Sequence, residues 1–256
     1  MKEGEGLKIC HIVSGDVWAG AEVSAFSLIT QLFFEPTVEI EVIVFNSGLL
    51  VEKLAERNIP FIVVEENKYS MPRMIWELIK CFRSFCPNIV HTHGLKENLL
   101  GGLAAKVSGA QAVFRTHHGR GFIGKSTFKT WMEIQIDKRL TSGSVAVSAD
   151  LQQFIQANGI IKARSCVIHN GVDLSLVRAT RKPDEIRREL NIDDGTKIIG
   201  IVGRLVPVKG HKYFIASAKK LLKIRDDLIF LIVGDGPLRT QIELDIRGGD
   251  ELYICD

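Results

Sequence analysis

The chain has 256 residues, of which 46% are hydrophobic and 25% charged, and its formal net charge is +3 at pH 7. This length and composition are typical of a soluble protein with one large or two ordinary α/β domains. The small net charge argues against nucleic acid as a partner, because such proteins carry a concentrated basic face. No stretch approaches the roughly 20 apolar residues of a membrane-spanning helix, so we expect a cytoplasmic protein. The five cysteines lack a C-x-x-C pair and lie mostly in apolar runs, which predicts buried free thiols.

Strand-like and helix-like segments alternate along residues 1–171. Strands are predicted at 7–13, 38–45, 61–64, 89–92, 112–116, 145–147 and 166–169, and helices at 21–32, 49–57, 74–85, 97–107, 128–140 and 151–157. Alternation with short connections predicts a mostly parallel, doubly wound sheet with helices on both faces. Ligands of such sheets bind beyond the carboxyl ends of the strands. The candidate site segments are therefore 14–20, 91–94, 116–119 and 169–171.

The pattern changes after residue 171. Residues 172–196 are polar and basic, contain one short helical segment, and are predicted to link two domains. A second α/β pattern occupies 197–256, with strands at 198–202 and 228–233 and a further short strand at 252–255. Two or three strands are few for burying both faces of a sheet and protecting its edges, so we expect this second domain to be partial.

The segment 198–210 has the features of an anion site. Residues 198–202 are apolar and predict a strand buried on both faces. The loop that follows carries Arg204 and Lys209, and a helical pattern begins at His211. Two cations beside the first N–H groups of a helix favour a phosphate or diphosphate ligand.

Seven short motifs of the chain resemble those of a known family. They are Ala19-Gly20-Ala21-Glu22, Ile89-Val90-His91-Thr92-His93-Gly94, Thr116-His117-His118-Gly119, Val145-Ala146-Val147-Ser148, Ile168-His169-Asn170-Gly171-Val172-Asp173, Gly203-Arg204 with Lys209-Gly210, and Val233-Gly234-Asp235-Gly236-Pro237. On these motifs, in this order, the chain resembles a retaining glycosyltransferase of family four with the GT-B fold. The resemblance covers nearly the whole sequence. It implies a complete N-terminal Rossmann-like domain (1–171) that receives the acceptor, a linker (172–196), and a partial C-terminal Rossmann-like domain (197–256) that holds a nucleotide-sugar donor.

The resemblance also implies catalytic roles. Arg204 and Lys209 should bind the donor diphosphate and stabilise the charge that develops on it as the sugar leaves. His118 should contact the transferred sugar and stabilise an oxocarbenium-like transition state. A hydrogen-bonded histidine at a strand end is the structural alternative for His118.

Four glycines are implied in donor binding. Gly20, at the start of the first helix, should bring backbone N–H groups close to the donor phosphates. Gly203, Gly234 and Gly236 should let the backbone approach the nucleotide. For Gly234 and Gly236 a tight turn before Pro237 is an equal alternative.

One part of the family pattern is absent from the sequence. The family carries a Glu-x7-Glu pair further into the second domain, where one carboxylate contacts the sugar and the other the ribose. The spacing of Glu243 and Asp250 is similar, but both belong to an earlier helix and its exit. We therefore expect this 256-residue form to be truncated and to have weak or no transferase activity.

The expected function is transfer of a hexosyl group from a nucleotide sugar to a glycan or lipid-linked acceptor in the synthesis of cell-surface polysaccharide or glycoconjugate. A non-catalytic nucleotide-sugar-binding protein and a GT-B sugar-nucleotide epimerase are the alternatives, although the epimerase requires acid/base carboxylates that the sequence does not offer convincingly. No cofactor and no metal are expected. His91, His93, His117 and His118 offer imidazole ligands, but no nearby carboxylate completes a metal-ligand set.

Residues 115–139 mix cations with large apolar side chains. They are Arg115, Arg120, Lys125, Lys129, Lys138 and Arg139 among Phe122, Phe128, Trp131, Met132 and Ile136. Such a mixture favours an amphipathic helix that packs its apolar stripe on the sheet. Peripheral contact with the inner face of an anionic membrane, which would suit a lipid-linked acceptor, is the alternative.

Overall fold

The structure is a computed structural model that describes residues 6–121, 127–159, 165–174, 181–247 and 252–255. The chain divides into two compact units, Met1–Leu176 and Val177–Asp256. Phe122, Lys125 and Asp250, which the sequence singled out, lie outside the described residues.

The first unit is built on a seven-stranded parallel sheet. Its strands are β1 (Leu7–Val13), β2 (Val38–Val44), β3 (Phe61–Val63), β4 (Ile89–Thr92), β5 (Ala112–His117), β6 (Gly143–Ala146) and β7 (Ser165–Val167). Their order is β3-β2-β1-β4-β5-β6-β7. The strand order reverses between β1 and β4, which is where ligands bind in doubly wound sheets. The predicted parallel, doubly wound architecture is confirmed.

Helices cover both faces of this sheet. They are α1 (Gly20–Phe33), α2 (Leu49–Glu56), α3 (Met71–Phe85), α4 (Leu95–Ser108), α5 (Thr127–Leu140) and α6 (Ala149–Ala157). On β1, Ile12 belongs to the core with α3 and α4, whereas its neighbour Val13 belongs to the core with α1 and α2. Successive side chains of a strand point to opposite faces. The strand is therefore apolar along most of its length because both faces are buried.

The second unit contains a three-stranded parallel sheet in the order β10-β9-β8. Its elements are α7 (Pro183–Glu189), β8 (Lys197–Val202), a 3₁₀ turn (Pro207–Lys209), α8 (His211–Leu221), β9 (Leu228–Val233), α9 (Arg239–Ile246) and β10 (Leu252–Cys255). Ile232 of β9 packs with Ile215 of α8 and Ile242 of α9. This small core holds the end of β8 and the start of α8 in a fixed relation.

Two expectations about burial were wrong. Strand β8 is not buried on both faces: Val202 is 80% exposed and Ile199 is 37% exposed. The physical reason is that β8 lies at the edge of its sheet with β9 as its neighbour, and Ile201 is the β8 residue that joins a core cluster in the described part of the chain. All five cysteines are free, but Cys86 and Cys166 are exposed rather than buried.

Candidate functional site

A large cavity lies in the first unit at the carboxyl ends of its central strands. Its volume is about 930 Å³. One polar part of its lining comes from the ends of β4 and β5, namely His91, His93, Thr116 and His118. Charged side chains at the end of α2, namely Lys53, Glu56 and Arg57, form another. The apolar part comes from α1, β6 and the segment after β7, and includes Trp18, Phe26, Phe34, Val145, Val147 and Ile168. A cavity with a few convergent polar groups and apolar walls is the usual form of a small-molecule site.

The segment after β7 is tied to α1. The hydroxyl of Ser24 donates a hydrogen bond of 2.8 Å to Oδ1 of Asn170. Nδ1 of His169 lies 3.1 Å from the carbonyl oxygen of Val147. These contacts hold the Ile168-His169-Asn170-Gly171 motif against the cavity that it helps to line.

His118, the expected sugar contact, lies in the polar part of this cavity. Its Nε2 is 3.3 Å from Nδ1 of His93. Burial lowers the pKa of His118 to about 4. The ring is therefore neutral at pH 7 and can exchange hydrogen bonds with a sugar without placing a positive charge beside a developing oxocarbenium ion.

His93, which contacts His118, belongs to a cluster with two further histidines, His11 and His91. His11 of β1 lies opposite His91 of β4 in the parallel register, and His93 follows two residues later. Burial lowers the pKa of His91 to about 4 and lowers the pKa values of His11 and His93 well below the ordinary range. Sequence reasoning missed His11, because a single histidine inside an apolar strand gives no sign of its partners until the strand register is known.

A buried ion-pair network joins β5 to α5. Nη2 of Arg115 lies 2.7 Å from Oε1 of Glu133, and Nη1 lies 3.5 Å from Oδ1 of Asp137. His117 Nε2 lies 3.9 Å from the same Asp137 oxygen. Burial, and then the neighbouring Arg115, lower the pKa of His117 to about 2. His117 is thus a neutral ring at pH 7, and the charged network is formed by Arg115 and the two carboxylates.

Gly20 forms the first turn of α1, as expected. A Cβ added to Gly20 would have no neighbour within 4 Å. No neighbouring atom in the described part of the chain therefore requires a glycine at this position, and the part of Gly20 in donor binding stays a prediction.

In the second unit, Arg204 and Lys209 lie in the loop between β8 and α8. Leu205 between them is fully buried and anchors the loop, whereas both cationic side chains are exposed. Neither cation pairs with a carboxylate within the described ranges. Gly210, with φ of 77°, leads directly into α8. The two exposed cations precede the start of α8 in one loop, as the sequence predicted; their binding of a phosphate stays a prediction.

Close packing accounts for the glycines at the ends of β8 and β9. A Cβ on Gly234 would lie 2.3 Å from the carbonyl oxygen of Gly203, and a Cβ on Gly236 would lie 2.8 Å from that of Leu205. Gly203 donates its N–H to the Val233 carbonyl oxygen at 2.9 Å, and Leu205 donates to Asp235 at 2.9 Å. The two loops are therefore packed together, which supplies a structural reason for Gly234 and Gly236; their part in donor binding stays a prediction.

His211 is a feature of this loop that sequence reasoning did not single out. It is 2% exposed at the start of α8, and neither ring nitrogen has a hydrogen-bond partner in the described part of the chain. Buried polar groups usually have a hydrogen-bond partner. The His211 ring, two residues after Lys209 in the sequence, therefore has unused hydrogen-bonding capacity at the start of α8.

Sequence comparison connects this geometry to a family. The family described as Glycosyltransferase Family 4 matches residues 18–176. The chain belongs to glycosyltransferase family 4. A second match, Glycosyl transferases group 1, covers residues 182–248. The family resemblance inferred from the seven motifs is confirmed.

Two relatives illustrate the similarity. The chain is 28% identical to the UDP-Gal:alpha-D-GlcNAc-diphosphoundecaprenol alpha-1,3-galactosyltransferase of Escherichia coli, over 94% of this chain and 65% of that protein. It is 30% identical to a GDP-mannose-dependent alpha-mannosyltransferase of Mycolicibacterium smegmatis, over 77% of this chain and 52% of that protein. The chain therefore spans slightly less than two thirds of the first relative and about half of the second.

Solved structures confirm the expected α/β fold of the GT-B type. The crystal structure of HepE from Anabaena in complex with UDP-glucose superposes with a TM-score of 0.80 at 17% identity, covering 97% of this chain and 68% of HepE. A UDP-N-acetylglucosamine 2-epimerase superposes with a TM-score of 0.66 at 15% identity, covering 97% of this chain and 68% of that one. At these identities the likeness concerns the fold alone.

Among the helices that the structure describes, none combines the length and the hydropathy needed to cross a membrane.

Proposed function

We propose that this family 4 chain acts in a retaining transfer of a hexosyl group from a nucleotide-sugar donor to a glycan or lipid-linked acceptor. The process it would serve is the synthesis of cell-surface polysaccharide or glycoconjugate. The names of the two relatives support this proposal, since one uses UDP-galactose with a diphosphoundecaprenol-linked acceptor and the other uses GDP-mannose.

The observation that carries the proposal is the pair of exposed cations in the loop after β8. Arg204 and Lys209 have no carboxylate partner in the described residues, so their charge is available to a ligand. Charge-assisted hydrogen bonds to phosphate are about twice as strong as neutral ones. Placed at the donor diphosphate, the two side chains and the first N–H groups of α8 would stabilise the leaving group without a metal ion.

The acceptor is assigned to the cavity of the first unit. At the ends of β4 and β5, His91, His93, Thr116 and His118 offer neutral hydrogen-bonding groups suited to sugar hydroxyls. Its apolar walls suit the less polar part of a lipid-linked acceptor. In this assignment His118 contacts the transferred sugar, and Gly20 brings the N–H groups of α1 toward the donor phosphates.

Helix α5 supports a peripheral contact with the inner face of a membrane. Phe128 is 68% exposed and Trp131 is 56% exposed, and their rings stack with centroids 6.1 Å apart. The buried side of α5 is formed by other residues, namely Glu133, Ile136, Asp137 and Leu140. Because the aromatic pair is not used in the core and basic residues share the helix, α5 has the composition of a surface that binds anionic lipid.

Calorimetric titration of the purified chain with UDP and GDP tests the donor site first. We expect saturable binding of one of the two. The folded chain failing to bind any nucleoside diphosphate would contradict the proposal. Incubation with UDP-sugars and a GlcNAc-diphospholipid then tests transfer, and the linkage configuration, measured by NMR, tests retention of the donor anomer. Binding without transfer favours a non-catalytic role, and conversion of the sugar nucleotide in the absence of acceptor favours an epimerase.

A further inference from the structure

We propose that His11, His91 and His93 form a binding site for a divalent transition metal of the zinc type at the polar end of the cavity. The proposal departs from the expectation of no metal drawn from the sequence. It concerns metal binding by this chain and does not depend on the proposed transferase function.

The three imidazoles already have the spacing of a ligand set. One nitrogen of each ring lies within 4.8 Å of the corresponding nitrogens of the other two. Nδ1 of His11 and Nε2 of His93 are 3.3 Å apart. Two nitrogens bound to one tetrahedral zinc ion at about 2.0–2.1 Å lie about 3.3–3.4 Å apart. The His11–His93 distance therefore matches that of two ligands on one tetrahedral ion.

The sheet holds these ligands in place. His11 and His91 are partners in the parallel pairing of β1 and β4, and residues two apart, such as His91 and His93, point to the same side of a strand. The ring centroids of the three residues are 4.5, 5.0 and 5.6 Å apart. A site assembled on two paired strands requires little ordering of the chain when the ion binds.

Two of the ligands have partners on their remaining ring nitrogens. Nε2 of His91 lies 2.8 Å from the Thr116 hydroxyl oxygen, and Nδ1 of His93 lies 3.3 Å from Nε2 of His118. These contacts leave Nδ1 of His91 and Nε2 of His93 for the ion. Metal-binding histidines almost always have their second nitrogen held in this way, which fixes the ring orientation.

The ligand chemistry selects the class of metal. Imidazole suits Zn²⁺, Co²⁺, Ni²⁺ and Cu²⁺, whereas Mg²⁺ and Ca²⁺ prefer carboxylate, carbonyl and water oxygens. Three histidines with a fourth position open are also a known arrangement for zinc. His91 and His93 line the cavity, so an ion and its fourth ligand can reach the site from there.

Metal titration of chelator-treated protein tests the proposal. Calorimetry should show one Zn²⁺ bound per chain and no binding of Mg²⁺, and Co²⁺ should give the visible absorption bands of a tetrahedral complex. His91→Gln and His93→Gln should each weaken Zn²⁺ binding at least tenfold. Thr116→Val, which removes a partner of His91, should weaken it by about tenfold. His169→Gln is the matched control, because His169 lines the same cavity outside the cluster, and it should leave the affinity unchanged.

Thermal unfolding and circular dichroism show whether each variant is folded. If His93→Gln does not fold, two other measurements test the proposal. They are the Zn²⁺ affinity of His91→Gln and the changes in the imidazole ¹⁵N shifts of the wild-type protein on addition of Zn²⁺. Equal Zn²⁺ affinity in wild type and His91→Gln, or zinc-induced shifts confined to histidines outside the cluster, would overturn the proposal. The cluster would then be a set of neutral rings joined by hydrogen bonds.

Discussion

Gly234 lies so close to Gly203 that a Cβ on Gly234 would be 2.3 Å from the Gly203 carbonyl oxygen. The obstructing atom belongs to the backbone, and β8 and β9 are paired up to this point. Neither loop can therefore move aside without breaking the pairing that positions Arg204.

Replacing this glycine should destabilise the second unit. Gly234→Ala adds the contact with Gly203 and forces φ of 136° on a residue with a side chain, so we expect a loss of about 1–3 kcal/mol. Hydrogen exchange of the β8 and β9 amides measures this loss in the second unit alone. In the control Gly200→Ala the nearest atom to the new Cβ is 3.8 Å away, and exchange should change little. Equal protection in wild type and Gly234→Ala would contradict the close packing.

The two cations of the loop between β8 and α8 should contribute to the binding of a nucleoside diphosphate and not to the stability of the fold. Arg204→Ala and Lys209→Ala should each weaken the binding of a nucleoside diphosphate about tenfold to a hundredfold, since hydrogen bonds to charged groups contribute about 1.5–3 kcal/mol. Both side chains are exposed, so the thermal unfolding temperature should stay the same. The calorimetric control is Lys223→Ala, which replaces an exposed lysine two residues beyond the C-terminal end of α8. A loss of affinity as large in Lys223→Ala would indicate a general charge effect.

The ion-pair network under β5 should be costly to break. Arg115→Met leaves the carboxylates of Glu133 and Asp137 buried without their cation, and we expect a loss of about 3–5 kcal/mol of unfolding free energy. Urea unfolding monitored by circular dichroism measures it. Arg73→Met is the matched control: Arg73 pairs with Glu77 at 2.6 Å, but its side chain is 54% exposed, and its loss should cost at most about 1 kcal/mol. A similar cost for the two variants would mean that burial does not determine the strength of the network.

Features that depend on local sequence patterns could be predicted. Features that depend on which strands of the chain pair with each other could not. The parallel sheet followed from alternating strand and helix patterns, and the position of Arg204 and Lys209 in a loop before a helix followed from the end of one pattern and the start of the next. The exposure of Val202 could not be predicted, because an apolar strand has the same sequence in the middle of a sheet and at its edge. The proximity of His11 to His91 and the contact of Gly234 with Gly203 arise from strand pairing between distant parts of the chain. Periodicity along the sequence carries no information on such pairing.

His117 should make the stability of the first unit depend on pH. Its pKa is about 2 in the folded protein, against an ordinary value of about 6.5. A histidine with a lowered folded pKa stabilises the fold above the unfolded pKa, and this stability is lost as the pH falls below about 6.5 toward the folded value. From pH 7 to pH 4.5 the contribution of this one ring amounts to about 2–3 kcal/mol.

His117→Leu removes that titration while keeping an apolar side chain of similar size. Between pH 7 and pH 4.5 the unfolding free energy of wild type should therefore decrease more than that of the variant. The difference between the two decreases should be about 2–3 kcal/mol. Urea unfolding at both pH values measures the difference. His169→Leu changes an exposed histidine and should follow the wild-type curve. Parallel curves for wild type and His117→Leu would show that His117 does not stay neutral in the fold.

The aromatic pair on α5 should determine membrane binding. Flotation of the protein with vesicles containing anionic phospholipid should recover it in the lipid fraction, and recovery should fall as salt rises, because the basic residues near the surface act through screened charge. The double variant Phe128→Ser/Trp131→Ser should lose most of this binding, since it removes the apolar groups that would enter the lipid interface. Trp76→Ser alters an aromatic residue that is 50% exposed on α3, away from the α5 pair, and should float like wild type. If wild type stays in the aqueous fraction at low salt, or if the α5 variant floats as well as wild type, α5 is not a membrane-binding surface and the exposed pair requires another partner.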